Sequence, residues 1–187
     1  MIGWEDDNNT VGPIAAPAKQ SLLRLIPHIL PTETDHRPLY YRLVLEHGDF
    51  GIHNMSIAID ADGQSRVTSL FDWETGCVVP ALLADPLMAV AINLSTDSDA
   101  NPSVSQLPDE ATTTNHAEYM RWAEQYCEEL FKQAPDFKRA IRAGKDARHL
   151  WFALRDWRGQ DPEGYFGDLG AWAERRMKEL GVDGKVA

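Results

Sequence analysis

The stretch Leu43 to Ile57 reads LVLEHGDFGIHNMSI, a polar H-G-D-x-x-x-x-N segment set between two apolar runs. Tyr40 to Leu45 reads as a strand that delivers the chain into the polar loop, and Met55 to Ile59 reads as a second strand leaving it. The turn-rich segment DADGQSR (Asp60 to Arg66) and the apolar Val67 to Phe71 follow, which predicts a β-hairpin with a connection of several residues. In an antiparallel pair the start of one strand lies beside the end of the other. Asn54, just before the hairpin, and Asp72, just after it, are therefore predicted to be spatial neighbours. A lone HGD is usually an ordinary polar turn; an asparagine at this spacing and an aspartate returned by a hairpin make a more specific combination.

Outward from this segment, residues 1 to 18 are rich in Asp, Asn, Gly and Pro and read as a flexible N-terminal arm. Leu22, Leu23, Ile26 and Leu30 predict a short helix over Ser21 to Leu30, kinked or shortened by Pro27. An apolar helix is expected over Leu82 to Leu94, and a polar loop over Ser95 to Thr114. The remainder carries three helical stripes. Tyr119, Trp122, Ala123, Tyr126, Cys127, Leu130 and Phe131 form the first. The second is Phe137, Ile141, Leu150, Trp151 and Leu154, with Gly144 a weak point; the third is Leu169, Trp172, Ala173, Met177 and Leu180. Aromatic residues at helical spacing are read as core. The expected class is α+β and mostly helical: a few short strands carrying a polar loop, packed on a helical body.

Composition bounds the function. The 187 residues, 43% of them hydrophobic, suffice for one domain with a substantial core. A formal net charge of -11 argues against a nucleic-acid partner, since phosphate backbones are held chiefly by Lys and Arg. Cys77 and Cys127 lack CxxC spacing, and the N-terminus lacks a basic start followed by an apolar run; both lead to the expectation of a cytoplasmic protein. The longest apolar stretch, Cys77 to Leu94, is interrupted by Pro80, Asp85 and Pro86, so no membrane span is expected.

His47, Asp49, Asn54 and Asp72 follow the order of the catalytic loop and metal-binding aspartate of the protein kinase-like fold. Gly48 stands where protein kinases usually have Arg, and FDWE (Phe71 to Glu74) stands where they have D-F-G. HGDxxxxN followed by a hairpin and DWE resembles the aminoglycoside phosphotransferase and choline kinase-like family, most nearly its fungal-type members. The likeness is strong over Leu43 to Pro86 and loose over the helical tail. It implies residues 19 to 187 as a C-terminal lobe that transfers phosphate from ATP to a small-molecule hydroxyl. Asp49 would be the catalytic base or would orient the acceptor hydroxyl. Asn54 and Asp72 would be the cofactor-binding Mg²⁺ ligands, and His47 would brace the loop by hydrogen bonding. Asp85 is a candidate for the family's later loop-anchoring aspartate, although LADPL departs from the commoner DLA. His53 beside Asn54 invites a transition-metal reading, but no HxxxH or HExxH arrangement supports one.

The fold so implied also needs a glycine-rich phosphate loop and a strand lysine. The 46 residues before His47 contain no glycine-rich loop, and their single lysine, Lys19, lies in AAPAKQSLL, which reads as a helix start. The expectation is a truncated C-terminal lobe, inactive by itself, with self-association through the face its partner lobe would cover. The alternative is a non-catalytic, pseudokinase-like interaction module. A metallophosphoesterase, the third reading, lacks a second HGD- or GNH-like ligand segment.

Overall fold

The computed structural model describes residues 12–33, 35–84, 86, 88, 89, 92–106, 113–157, 159 and 161–182. Its elements in chain order are α1 (Gly12–Ile29), α2 (Arg37–Tyr40), β1 (Leu43–Glu46), β2 (Met55–Ile59), β3 (Ser65–Leu70), β4 (Cys77–Pro80), β5 (Asn93–Thr96), β6 (Pro102–Gln106), α3 (Thr113–Gln133), α4 (Pro135–Ala143), α5 (Lys145–Asp156) and α6 (Pro162–Glu179). Short 3-10 turns lie at Ile52–Asn54, Trp73–Thr75 and Ala81–Leu83. The class is α+β, mostly helical, with small antiparallel sheets. The chain divides into two compact units, one of residues 1–32 with 149–187 and one of residues 33–148.

In the first unit, α1 packs along α6 around Leu22, Leu25, Ile29, Leu150, Leu169, Ala173 and Met177. The helix starts at Gly12, inside the stretch read as an arm, and carries Pro17 and Pro27 within it. Its buried stripe runs through Ala15, Ala18, Leu22, Leu25 and Ile29, whereas Leu23 faces solvent. That stripe follows the 3.6-residue period from Ala15 onward, so the small alanines extend the apolar face upstream of the leucines. Alanine carries a weak hydrophobic signal, which is why the first two turns are not legible as a helix. Gly170 of α6 sits against Ala18: a Cβ there would lie 2.9 Å from the Ala18 Cβ and 3.0 Å from its Cα. Two small residues thus allow the helix axes to close on each other. Ser21 and Arg24 both donate to Glu174 Oε1 beside this contact.

The second unit holds three two-stranded antiparallel sheets, β1–β4, β2–β3 and β5–β6. Its core comprises Leu94, Ala100, Val104, Ala123, Cys127, Phe131 and Ile141. The hairpin expected after the HGD segment is β2–β3, with Met55 opposite Leu70, Ile59 opposite Ser65 and a bulge at Ser56/Ile57. Its connection is closed by Asp60, whose Oδ1 accepts from the N–H groups of Asp62 at 3.0 Å and Gln64 at 2.9 Å while Gly63 takes φ 76°. The same turn recurs between β5 and β6: Asp97 Oδ1 accepts from Asp99 N at 2.8 Å and Asn101 N at 2.9 Å, with Ala100 at φ 64° in the place of the glycine. The Asn101 side-chain amide, followed by these backbone donors, holds the Asp97 carboxyl below its ordinary pKa. Part of the stretch read as a polar loop over 95–114 is therefore a hairpin, followed by the start of α3.

No α-helix occurs among the described residues of 82–94. Ala81, Leu82 and Ala84 are all buried, so this run is apolar on every side because it passes through the interior. An apolar run of this kind does not distinguish helix from buried irregular chain, and Pro86 removes a backbone donor from it. Buried Arg148 satisfies one of its carbonyls, donating to Leu82 O at 3.3 Å, and also donates to Ile141 O at 3.0 Å and to Thr96 Oγ1 at 3.2 Å. The helical stripe from Phe137 to Leu154 is broken at Gly144, where a Cβ would stand 1.9 Å from the Leu82 carbonyl oxygen. Leu154, assigned to that stripe, is half exposed.

The α1–α6 contact gives a paired prediction. Gly170→Ala gains about 1 kcal/mol of helix propensity but overpacks a site where the opposing group includes backbone, at about 1–3 kcal/mol, so a net loss of stability is expected. Among the described residues Gly167→Ala meets only the Ile14 Cγ2 at 3.6 Å, an ordinary contact, and should stabilise. Urea denaturation of the two variants checks the opposite signs.

Candidate active site

β1 enters the site paired with β4, in the register Leu43↔Pro80 through Glu46↔Cys77. The pairing ends where the loop begins. His47 is buried, and its Nε2–H donates to the Phe71 carbonyl at 2.6 Å. A carbonyl only accepts, so this bond assigns the proton to Nε2. The imidazole also lies against the Trp73 ring, with centroids 4.4 Å apart. His47 Nδ1 is buried without a hydrogen-bond partner among the described residues.

Gly48 takes φ 81°, and a Cβ on it would be 2.3 Å from the Thr75 carbonyl oxygen. Only glycine meets both conditions. The loop is thereby pressed against the 3-10 turn Trp73–Thr75, and Thr75 Oγ1 donates to His47 O at 3.4 Å. Gly51 leaves room for the His53 ring, whose Cε1 would be 2.3 Å from a Cβ at that position. Ile52 N–H donates to the Ala89 carbonyl at 3.1 Å and ties the loop to the segment after β4. Asp85, expected to anchor the loop from that segment, lies outside the described residues.

Asp49 and Asn54 are joined directly. Asn54 Nδ2 donates to the Asp49 carbonyl at 2.9 Å and to its carboxylate Oδ2 at 3.2 Å. Both partners are acceptors, so the amide nitrogen must face Asp49 and the amide oxygen Oδ1 must point the other way. Asn54 is buried while Asp49 is exposed. A second group, His53 Nε2, stands 3.4 Å from the same Asp49 oxygen. The sequence did not single out this contact; its only signal is the spacing of four residues.

Asp72 follows the strand that returns to this loop. Phe71 N–H donates to the Asn54 carbonyl at 2.8 Å, one rung beyond the Met55–Leu70 pair. Asp72 itself takes φ 57° and ψ 58°, a left-handed conformation, and its side chain is exposed. Main-chain positions 54 and 71 are thus hydrogen-bonded neighbours, and the next residue carries the carboxylate. Asn54 Oδ1 and the Asp72 carboxylate are hard oxygens, of the kind that suits Mg²⁺ and not a soft metal, and what brings their residues near each other is this main-chain pairing. Lys19, on the exposed side of α1, belongs to the first unit.

No protein-family model, curated protein or solved structure matches this chain. Among the described residues, no helix is long and apolar enough to cross a membrane.

The strained position gives a prediction. A non-glycine residue in the left-handed region costs about 1–2 kcal/mol, with aspartate among the residues that tolerate it best. Asp72→Gly should therefore be more stable than Asp72→Ala by about 1 kcal/mol. Gly48→Ala should lose about 2–5 kcal/mol, the sum of that backbone cost and overpacking against Thr75. Chemical denaturation of the three variants checks the order.

Proposed function

We propose that this chain is the C-terminal lobe of a phosphotransferase related to the aminoglycoside phosphotransferase and choline kinase-like family, built for ATP- and Mg²⁺-dependent transfer to a small-molecule hydroxyl. The observation that carries this reading is the Asn54 side chain, which binds both the carbonyl and the carboxylate of Asp49 while its own main chain is bonded to the residue before Asp72. One small unit thus collects the three groups such chemistry uses. Asp49 holds its carboxylate exposed, where it can accept a hydrogen bond from a substrate hydroxyl and take its proton. His53, beside the same oxygen, helps set the carboxylate's orientation. Asn54 Oδ1 and the Asp72 carboxylate are the residues that would hold Mg²⁺. Held by these two residues, Mg²⁺ would supply charge neutralisation for phosphoryl transfer.

Transfer of this kind depends on positioning and electrostatics, with little covalent chemistry. The sequence before His47 supplies no glycine-rich loop. Removing a single positioned electrostatic partner commonly costs about 10²–10³-fold in rate. The 187-residue chain by itself is therefore expected to give no phosphotransfer above background toward aminoglycosides, choline or amino sugars.

The self-association expected of an uncovered lobe face is supported by one feature: Leu43, Leu45 and Val78 on β1 and β4 are 70%, 62% and 61% exposed. Tyr40 is buried and Tyr41 and Val44 are partly buried, so Leu43, Leu45 and Val78 are the apolar residues that this strand pair exposes. Exposed apolar strand faces favour association. A monodisperse monomer with little hydrophobic-dye binding would count against such association.

The metal site can be tested without turnover. Mn²⁺ added to the isotope-labelled chain should broaden amide resonances around Asn54 and Asp72 first, at millimolar concentration, because Mg²⁺-type sites are completed by substrate phosphates and water. Asp72→Ala should abolish the effect. Broadening elsewhere, or broadening that survives this substitution, would remove the basis of the proposal.

A further inference from the structure

α4 presents two unlike faces. Ala140 and Ile141 are buried, and Gly144 at its C-terminal end abuts the Leu82 carbonyl. Lys138, Arg139 and Arg142 lie within one helical turn of one another, at i, i+1 and i+4. All three line a single cavity of about 500 Å³, which Tyr40 of α2 and Ser98 of the β5–β6 turn also line. Among the described residues no carboxylate lines it, although Asp99 and Glu33 bond to the lining residues Arg142 and Tyr40. In a chain of net charge -11, a concavity walled by three cations and two hydroxyls is a local reversal of sign.

The cations are held in place by contacts that a ligand could displace. Arg142 pairs with Asp99 at 3.1 Å, with both side chains more than half exposed, and an exposed pair of this kind contributes at most about 1 kcal/mol. Arg139 Nη1 rests on the His36 ring, 3.2 Å from Nδ1 and 3.3 Å from Nε2. Lys138 lies over the Phe131 ring at 5.5 Å. Tyr40 donates its hydroxyl to Glu33 Oε2 at 3.2 Å. Burial, with Glu33 adding to it, raises the pKa of that phenol, which therefore stays protonated with its one proton on Glu33.

We infer that this cavity is a binding site for a phosphate monoester of a small polar molecule. Two guanidinium forks and an ammonium are suited to the several oxygens of a dianion, whereas one carboxylate would leave most of these donors unused. The volume exceeds a phosphate group alone and leaves room for the molecule that bears it. This inference stands apart from the phosphotransfer reading and uses none of its residues.

The test is a titration of the full chain with inorganic phosphate and phosphoethanolamine at low ionic strength, followed by amide resonances and by calorimetry, with acetate as the carboxylate control. Saturable binding that shifts the α4 and Ser98 amides is expected, with phosphoethanolamine at least matching inorganic phosphate and acetate much weaker. Lys138→Gln and Arg139→Gln should each weaken it about tenfold. Asp99→Asn, which releases Arg142 from its ion pair, should tighten it up to about fivefold; a gain of affinity cannot come from a folding defect. Absence of saturable binding to the unaltered chain would overturn the inference. So would binding indifferent to all three substitutions, or acetate binding as well as phosphate.

Discussion

Phe71 is held by its main chain from two sides. Its N–H donates to the Asn54 carbonyl, and its carbonyl accepts from the buried His47 imidazole. Each such bond is worth about 1 kcal/mol net, so together they offset the roughly 1–2 kcal/mol that a left-handed aspartate costs at the next residue. The strand end cannot relax Asp72 into an extended conformation without releasing one of these bonds or the Trp73 ring packed on His47. The HGD loop, the start of the hairpin and the turn that ends it are consequently one mechanical unit. Gly48 completes it by allowing the loop to touch Thr75.

The sequence was most legible where local chemistry dictates geometry. DADGQ encodes its turn through an aspartate that caps two backbone donors and a glycine at the left-handed position. The hairpin followed from that, and with it the neighbourhood of Asn54 and Asp72 along the main chain. The second copy of the turn, DSDAN, carries no such signal, because Ala100 stands where glycine would mark it. Ala100 is buried in the core with Val104 and Phe131; its methyl group fills that core, and the backbone accepts the strain. The signal was removed by a demand from tertiary packing.

The same demand explains the segment after β4. Periodicity separates helix from strand only when one side of an element faces water. Ala81, Leu82 and Ala84 face none, and the direction of the chain there is set by partners distant in sequence, notably the Arg148 guanidinium that reaches the Leu82 carbonyl. Burying that guanidinium is favourable only while its donors are satisfied, which is a property of the assembled unit and not of any one stretch. Likewise, α1 begins earlier than its leucines indicate because Ala15 and Ala18 bury a face with almost no hydrophobic signature.

The site residues differ in how far the sequence alone could place them. Asp49 and Asn54 are five residues apart and their bond is local, so spacing carries most of the information. The role of His47 is not local: its partner, Phe71, is 24 residues away and offers a main-chain carbonyl that any residue type would supply. Nothing in the identity of Phe71 announces that bond. His53 presents the opposite case, a nearby residue whose contact with Asp49 depends on Gly51 having no side chain. Two glycines, Gly48 and Gly51, thus decide which groups surround the Asp49 carboxylate, one by its dihedral angle and the other by the volume it leaves free. The chemistry available to Asp49 is set as much by these two absent side chains as by the polar residues that are present.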